Sequence, residues 1–391
     1  MTKVPHGAEI GVLGGGQLGR MFVAAAHRLG YRVAVYAPER GSPAGVCADR
    51  EVVGDLSDVA AVRKFATSVA ALTYETEAIQ PAILDAAAVL VPVRPGPEVL
   101  RWTSDRMAQR ELCAELGLPV ADYRAIRTPD DVAAAASEPL FPGFLKRCRE
   151  GYDGRGQLGL CCHEGLAEAW ELMGRAPALL ERSVDGATEF SVLVARGHDG
   201  ETVVYDPIRN VHVGGVLRLS SWPAMLSDRV VAEAGDIARA IASRVGLCGV
   251  LCVELFLDSS GTLLVNEFAA RPHNSGHLTI EACETSQFEQ QVRALAGLPL
   301  GSGQFLRPAA MANLFGEVGT GPAVEPAGCG AFVHRYGKRG YPGRKTGHVT
   351  AVAGTVEGAI ATALRVAGRV SEGSAAEKTA EKIQGEGAVP P

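Results

Sequence analysis

Glu9-Ile10-Gly11-Val12-Leu13-Gly14-Gly15-Gly16-Gln17-Leu18-Gly19 reads as a short apolar strand, a glycine turn and the opening of a helix. Helical periodicity continues from Gln17 to Leu29, and Tyr31 to Tyr36 is a second strand. A helix over Asp58 to Ser68 and the apolar run Ala70 to Tyr74 extend the alternation. Strand and helix in turn, joined by short loops, predict a parallel sheet covered on both faces. Gly14-x-Gly16-x-x-Gly19 also satisfies a dinucleotide fingerprint, because amides at a helix N-terminus suit phosphate. A nicotinamide site needs an acidic residue closing the second strand, and Glu39 is a weak candidate for it. A structural turn and a different phosphate ligand are the competing readings of the same glycines.

Outward from this unit the pattern changes. Pro92, Pro95 and Pro97 mark a boundary near residue 100, followed by a helix over Ser104 to Gly117. Phe144 to Lys146, then Gly151 to Gly159, reads as strand, tight loop and strand. Phe190–Ala195 and Thr202–Tyr205 pair around His198-Asp199-Gly200, and Gly249–Leu257 and Thr262–Phe268 pair around Ser259-Ser260-Gly261. A long helix, Ser227 to Val245, separates the two hairpins, so the middle of the chain is α+β. Beyond Leu306 come short strands such as Ala309–Leu314 and a helix near Val356–Val366. The expected division is 1–100, 101–300, 301–370 and a mobile tail over 371–391, whose residues are small and polar.

With 391 residues, 47% hydrophobic and 21% charged, the chain can bury a large core. Its 47 glycines show no period of three, which excludes collagen. A net charge of −6 argues against a nucleic-acid or anionic-membrane surface, and no apolar run is long enough to span a bilayer. The nine cysteines include no CxxC pair, so reduced thiols in a cytoplasmic protein are expected rather than a disulfide framework or zinc site.

Four further constellations carry chemistry. Lys146 ends a strand, and the loop after it holds Gly151, Tyr152, Asp153, Gly154, Arg155 and Gly156. Glycines beside fixed cations let backbone amides approach a polyphosphate. Glu254 and Glu267 lie on the two strands of one hairpin and can face each other; with the amide of Asn266 they form a hard-oxygen set suited to Mg²⁺. His273 and His277, at i and i+4 in Arg271-Pro272-His273-Asn274-Ser275-Gly276-His277, invite a zinc reading, but the intervening Asn, Ser and Gly favour a loop and no third ligand is evident. The last cluster, Lys338 with Arg344, Lys345 and His348, is either an anion site or a solvated basic face.

In this order, the motifs resemble the ATP-grasp superfamily, and specifically its N5-carboxyaminoimidazole ribonucleotide synthases. The resemblance runs from about Gly11 to Val366 and is carried by Gly15–Met21, Gly151–Gln157, Asn266-Glu267, Arg271–His277, Ser286-Gln287-Phe288-Glu289 and Gly343–Lys345 with Gly347-His348. It implies an ATP-grasp fold with an N-terminal Rossmann-like domain and a small C-terminal domain. The implied reaction joins bicarbonate to the exocyclic amine of 5-aminoimidazole ribonucleotide through carboxyphosphate, with ATP and Mg²⁺.

By the same resemblance Lys146, Arg110, Asn266, Glu181 and Glu189 would contact ATP beneath a flexible Gly151–Gly156 loop, while Glu254 and Glu267 would hold Mg²⁺. Tyr152, Asp153, Arg155, Arg271, His273 and Asn274 would line the bicarbonate and aminoimidazole site, with Asp153 or His273 taking the amine proton. Lys338, Arg344 and Lys345 would hold the 5′-phosphate, closed over by Gln17 and Glu75. A homodimer is also implied. Four positions depart from the family pattern: Arg110 for a lysine, Tyr341 for an arginine, Ala270 for a proline and Ala78 for an asparagine. They leave open a paralogous carboxylate–amine ligase with another acceptor.

Overall fold

A computed structural model describes residues 3–149, 151, 156–317 and 330–370. The first unit is the expected parallel sheet: β1 (Glu9–Leu13), β2 (Arg32–Ala37), β3 (Arg50–Val53) and β4 (Leu72–Tyr74), in the order β3-β2-β1-β4. Val33, Val35, Ile10 and Val12 are almost wholly buried, as strands covered on both faces require. The helix Gln17–Arg28 starts without a side-chain cap of its own. Gly14, at φ +103, makes the turn into it, a backbone conformation that only glycine adopts without strain.

Two antiparallel sheets follow. The smaller holds β5 (Tyr123–Ile126), β6 (Gly143–Arg147), β7 (Gln157–Leu160) and β8 (Ala178–Arg182), in the order β5-β8-β6-β7. The larger collects β9 (Thr188–Arg196), β10 (Thr202–Val204), β11 (Ile208–Val213), β12 (Val216–Trp222), β13 (Gly249–Leu257), β14 (Leu263–Ala269), β15 (Ala309–Phe315), β16 (Ala331–Arg335) and β17 (Lys345–Val352). Its order is β14-β13-β9-β11-β12-β15-β17-β16, with β10 on β9. The C-terminal strands therefore extend the central sheet through the β12–β15 ladder, Leu219 opposite Ala312 to Trp222 opposite Ala309.

Two helices seat this sheet. Asp228–Arg244 is capped by Ser227 and buries Val230, Ala234, Ile237, Ala238 and Ile241 in a cluster with residues of β9 and β13, a stripe at helical spacing. Gln287–Ala296 is capped by Ser286 and ends at Gly297, in the left-handed region. Its Phe288, Val292 and Leu295 enter the core of the first unit, next to Phe22 and Val33. The segment 371–391 expected as a tail lies outside the described residues. Among the described residues no helix is long and apolar enough to cross a membrane, and the eight described cysteines are free thiols.

Candidate active site

The register of the β13–β14 hairpin places Glu254 directly opposite Glu267, while Leu255 pairs with Val265. Asn266 is thus the extra residue of a β-bulge, a device that re-aims side chains at functional sites. Its Nδ2 lies 3.4 Å from Glu254 Oε2, and its Oδ1 accepts from Lys146 Nζ at 3.2 Å. Glu254 Oε1 meets His273 Nε2 at 3.0 Å, and Glu267 is bound by Arg106. Burial alone would raise the Glu254 carboxyl, but His273, His212 and Arg106 outweigh it and hold the group ionised. Cys252 and Glu254 in turn raise the His273 imidazole above its ordinary value, against the effect of burial.

On the other side of Asn266 lies a buried ion cluster. Lys146, on β6, contacts Glu181 Oε2 on β8 at 2.5 Å. Arg110, in the helix Arg106–Glu115, donates to Glu181 Oε1 at 2.6 Å and to the Asn266 carbonyl at 2.7 Å. Desolvation opposes ionisation of Glu181, yet Lys146 and Arg110 pull its pKa down to about 2. Among the described residues, Nε and Nη1 of Arg110 have no hydrogen-bond partner although they are buried. Glu189 lies apart from this cluster and pairs with His212 Nδ1 at 2.5 Å. Tyr152, Asp153, Gly154 and Arg155 lie outside the described residues; the flanking Gly156 carbonyl accepts from Arg147 N at 2.8 Å.

The Arg271–His277 run forms a short 3₁₀ turn over Asn274–Leu278 with His273 as its N-cap. His273 Nδ1 lies 2.8 Å from Ser275 Oγ, which is 2.7 Å from Ser191 Oγ, and Asn210 Nδ2 donates to Ser191 at 3.1 Å. Asn274 is buried, and neither polar atom of its side chain has a partner among the described residues. Arg271 pairs with Glu77 at 3.5 Å, and Glu77 also accepts from Ala270 N at 3.2 Å. His277 turns away from His273, to Gln287 and to the His348 ring at 4.8 Å, so the two imidazoles do not share one ligand site.

At the first glycine loop, Glu75 Oε1 accepts from Gly16 N at 2.8 Å and Oε2 from Gly19 N at 3.2 Å. The helix N-terminus that a nicotinamide diphosphate would occupy is therefore filled by the protein's own carboxylate, and Glu39 is exposed. Gln17 accepts from Lys338, a residue 321 positions away, which joins the first unit to the C-terminal one. Lys345 is buried on β17, whereas its neighbour Arg344 has its guanidinium 5.1 Å over the Tyr341 ring. Tyr341, standing where the family pattern has an arginine, thus engages Arg344. Sequence alone does not single out Arg106, Glu77, His212 or Ser191, and Ser275 lies within the Arg271–His277 run without an assigned role.

Three family descriptions match consecutive stretches: the ribonucleotide synthetase preATP-grasp domain over 8–104, the ATP-grasp domain over 111–288 and the phosphoribosylaminoimidazole carboxylase C-terminal domain over 309–362. An N5-carboxyaminoimidazole ribonucleotide synthase of Bacillus subtilis is 39% identical over 349 residues, 88% of this chain and 91% of the relative. The solved ADP complex of an N5-carboxyaminoimidazole ribonucleotide synthetase superposes with a TM-score of 0.88 at 36% identity, covering 94% of this chain and 98% of the other. A structure from Aspergillus clavatus in complex with ADP and 5-aminoimidazole ribonucleotide gives a TM-score of 0.85 at 31% identity, covering 93% and 100%. The chain belongs to the N5-carboxyaminoimidazole ribonucleotide synthase family of ATP-grasp ligases.

Proposed function

We propose that this protein carboxylates the exocyclic amine of 5-aminoimidazole ribonucleotide with bicarbonate, consuming ATP. The observation that carries the reading is the bulged hairpin that sets Glu254, Asn266 and Glu267 between the Lys146–Glu181–Arg110 cluster and the His273–Asn274 turn. The bound acceptor in the Aspergillus clavatus relative supports the same substrate here.

Bicarbonate is a poor electrophile, so its activation as carboxyphosphate precedes attack by the amine. Lys146 and Arg110 supply positive charge on the nucleotide side, with Lys146 Nζ 3.2 Å from Asn266 Oδ1. Glu254, Glu267 and the Asn266 amide oxygen are all hard oxygen donors and fit Mg²⁺. The bound ion would offset charge on the transferring phosphoryl group. Arg271, held by Glu77, orients the anionic acyl donor beside Asn274. Asp153 or His273 takes the amine proton. Lys338, Arg344 and Lys345 attract the 5′-phosphate, and Glu75 acts by shaping the turn that presents Gln17 to Lys338. A cytoplasmic homodimer completes the proposal, with sedimentation as the check on oligomeric state.

The deciding experiment measures ADP release with and without each substrate. The expected result is release that requires both bicarbonate and 5-aminoimidazole ribonucleotide. Stimulation by a different amine, with none by 5-aminoimidazole ribonucleotide, would instead establish a paralogous ligase.

A further inference from the structure

The Ser286-Gln287-Phe288-Glu289 run has no part in the chemistry described so far. It begins the helix Gln287–Ala296, whose Ser286 cap accepts from Glu289 N at 3.2 Å. Phe288, Val292 and Leu295 on this helix are packed into the core of the first unit. Gln287 lies on another face and is completely buried.

Its side-chain amide grips one residue from both sides. Oε1 accepts from His273 N at 2.8 Å, and Nε2 donates to the His273 carbonyl at 2.7 Å. A backbone N–H can only donate and a carbonyl can only accept, so the orientation of the amide is determined by its partners. The same Nε2 lies 3.4 Å from His277 Nδ1, making that nitrogen the acceptor and leaving the ring proton on Nε2. Gly276 is matched to this arrangement: a Cβ there would stand 2.7 Å from Gln287 Oε1 and 2.6 Å from Leu193 Cδ1. One buried amide on a packed helix therefore holds the main chain of the residue whose imidazole meets Glu254 at 3.0 Å and Ser275 at 2.8 Å.

We propose that Gln287 is a positioning residue for the carboxylation reaction, acting through the His273 main chain to keep the imidazole and the adjoining Asn274 in register with the Glu254–Glu267 pair. This rests on the function proposed above. It predicts that the hydrogen bonds of Gln287, rather than its volume, set turnover.

The full-length wild type, Gln287→Met and Gln287→Glu are compared for ADP release, carboxylated product and ATP binding. Methionine keeps the length and apolar packing but removes both hydrogen bonds to His273 and the contact with His277. It is expected to leave the ATP dissociation constant within about twofold of wild type. Acceptor-dependent kcat should fall about 100-fold, the scale of an ångström-sized misplacement, and less product should form per ADP released. In Gln287→Glu the protonated carboxyl can donate to the His273 carbonyl and the ionised one cannot. Its activity relative to wild type should therefore rise as pH falls, a signature that space-filling alone does not produce. A Gln287→Met enzyme with wild-type kcat and coupling overturns the inference. Should that variant fail to fold, a Gln287→Glu pH profile parallel to wild type overturns it as well. Absence of acceptor-dependent turnover in the wild type breaks the functional reading itself, whereas an active wild type beside an unaffected variant breaks only the role of Gln287.

Discussion

The glycine turn at residues 14–19 and the carboxylate hairpin at residues 254–267 both carry ligand-binding patterns, and they differ in how their polar surroundings are satisfied. In the turn, the amides of Gly16 and Gly19 are taken by Glu75, and a Cβ at Gly16 would fall 2.7 Å from that carboxylate. Around the hairpin, Nε and Nη1 of Arg110 and both polar atoms of Asn274 are buried without partners among the described residues. Buried polar groups left unpaired are costly, so each calls for a compensating partner such as a ligand, an ion or water. A phosphate-binding fingerprint describes a backbone shape; the partners of its amides say whether that shape is still open.

The strongest way to break this contrast is Glu267→Gln. It should reduce ATP turnover by at least about 100-fold while the circular dichroism spectrum stays unchanged, and near-normal turnover would sink the assignment of the hairpin as the reaction centre. Next, Lys146→Met should raise the KM for ATP about tenfold or more, because it removes a charge-assisted contact. It should also lower the melting temperature, since Glu181 keeps only Arg110 as its close cation.

Acid sharpens the comparison. The folded pKa of Glu181 is depressed from 4.5 to about 2, so its stabilising contribution is complete above pH 4.5 and is lost as pH falls toward 2. Denaturation curves across that window should show the wild type losing stability more steeply than Glu181→Gln; parallel curves would remove Glu181 from the ion cluster. The smallest effect is expected at the closed turn. Glu75→Gln weakens two charge-assisted hydrogen bonds and should cost about 1 kcal/mol. ATP binding should be unchanged and the KM for the acceptor increased, and a fall in ATP affinity would contradict the separation of the two regions.

The hairpin was legible because both carboxylates stand beside strand-forming residues on either side of an evident turn, so facing positions followed from local pattern. The bulge at Asn266 was not, since one extra residue in a strand changes register without changing composition. The Arg106–Glu267 and Arg110–Glu181 pairs close over 161 and 71 residues, and nothing in the local sequence of a short helix names a partner that far away. β11 and β12 escaped detection because Asn210, His212 and Ser220 break the apolar alternation; two of these belong to the buried chain Ser220–Asn210–Ser191. Resemblance makes Glu75 a substrate ligand, whereas its grip on Gly16 and Gly19 depends on β4 lying beside β1. The six motif runs specify the fold family; the polar wiring between them depends on tertiary distance.

The β12–β15 ladder has a mechanical consequence. Glu254 on β13 and Lys345 on β17 belong to a single hydrogen-bonded plate, so the carboxylate pair and the C-terminal cation cannot separate without tearing inter-strand bonds. Lys146 stands on the other sheet, whose strands make no ladder with that plate. Relative motion of the two sheets would therefore load side-chain contacts such as Lys146–Asn266 and leave the strand ladders intact.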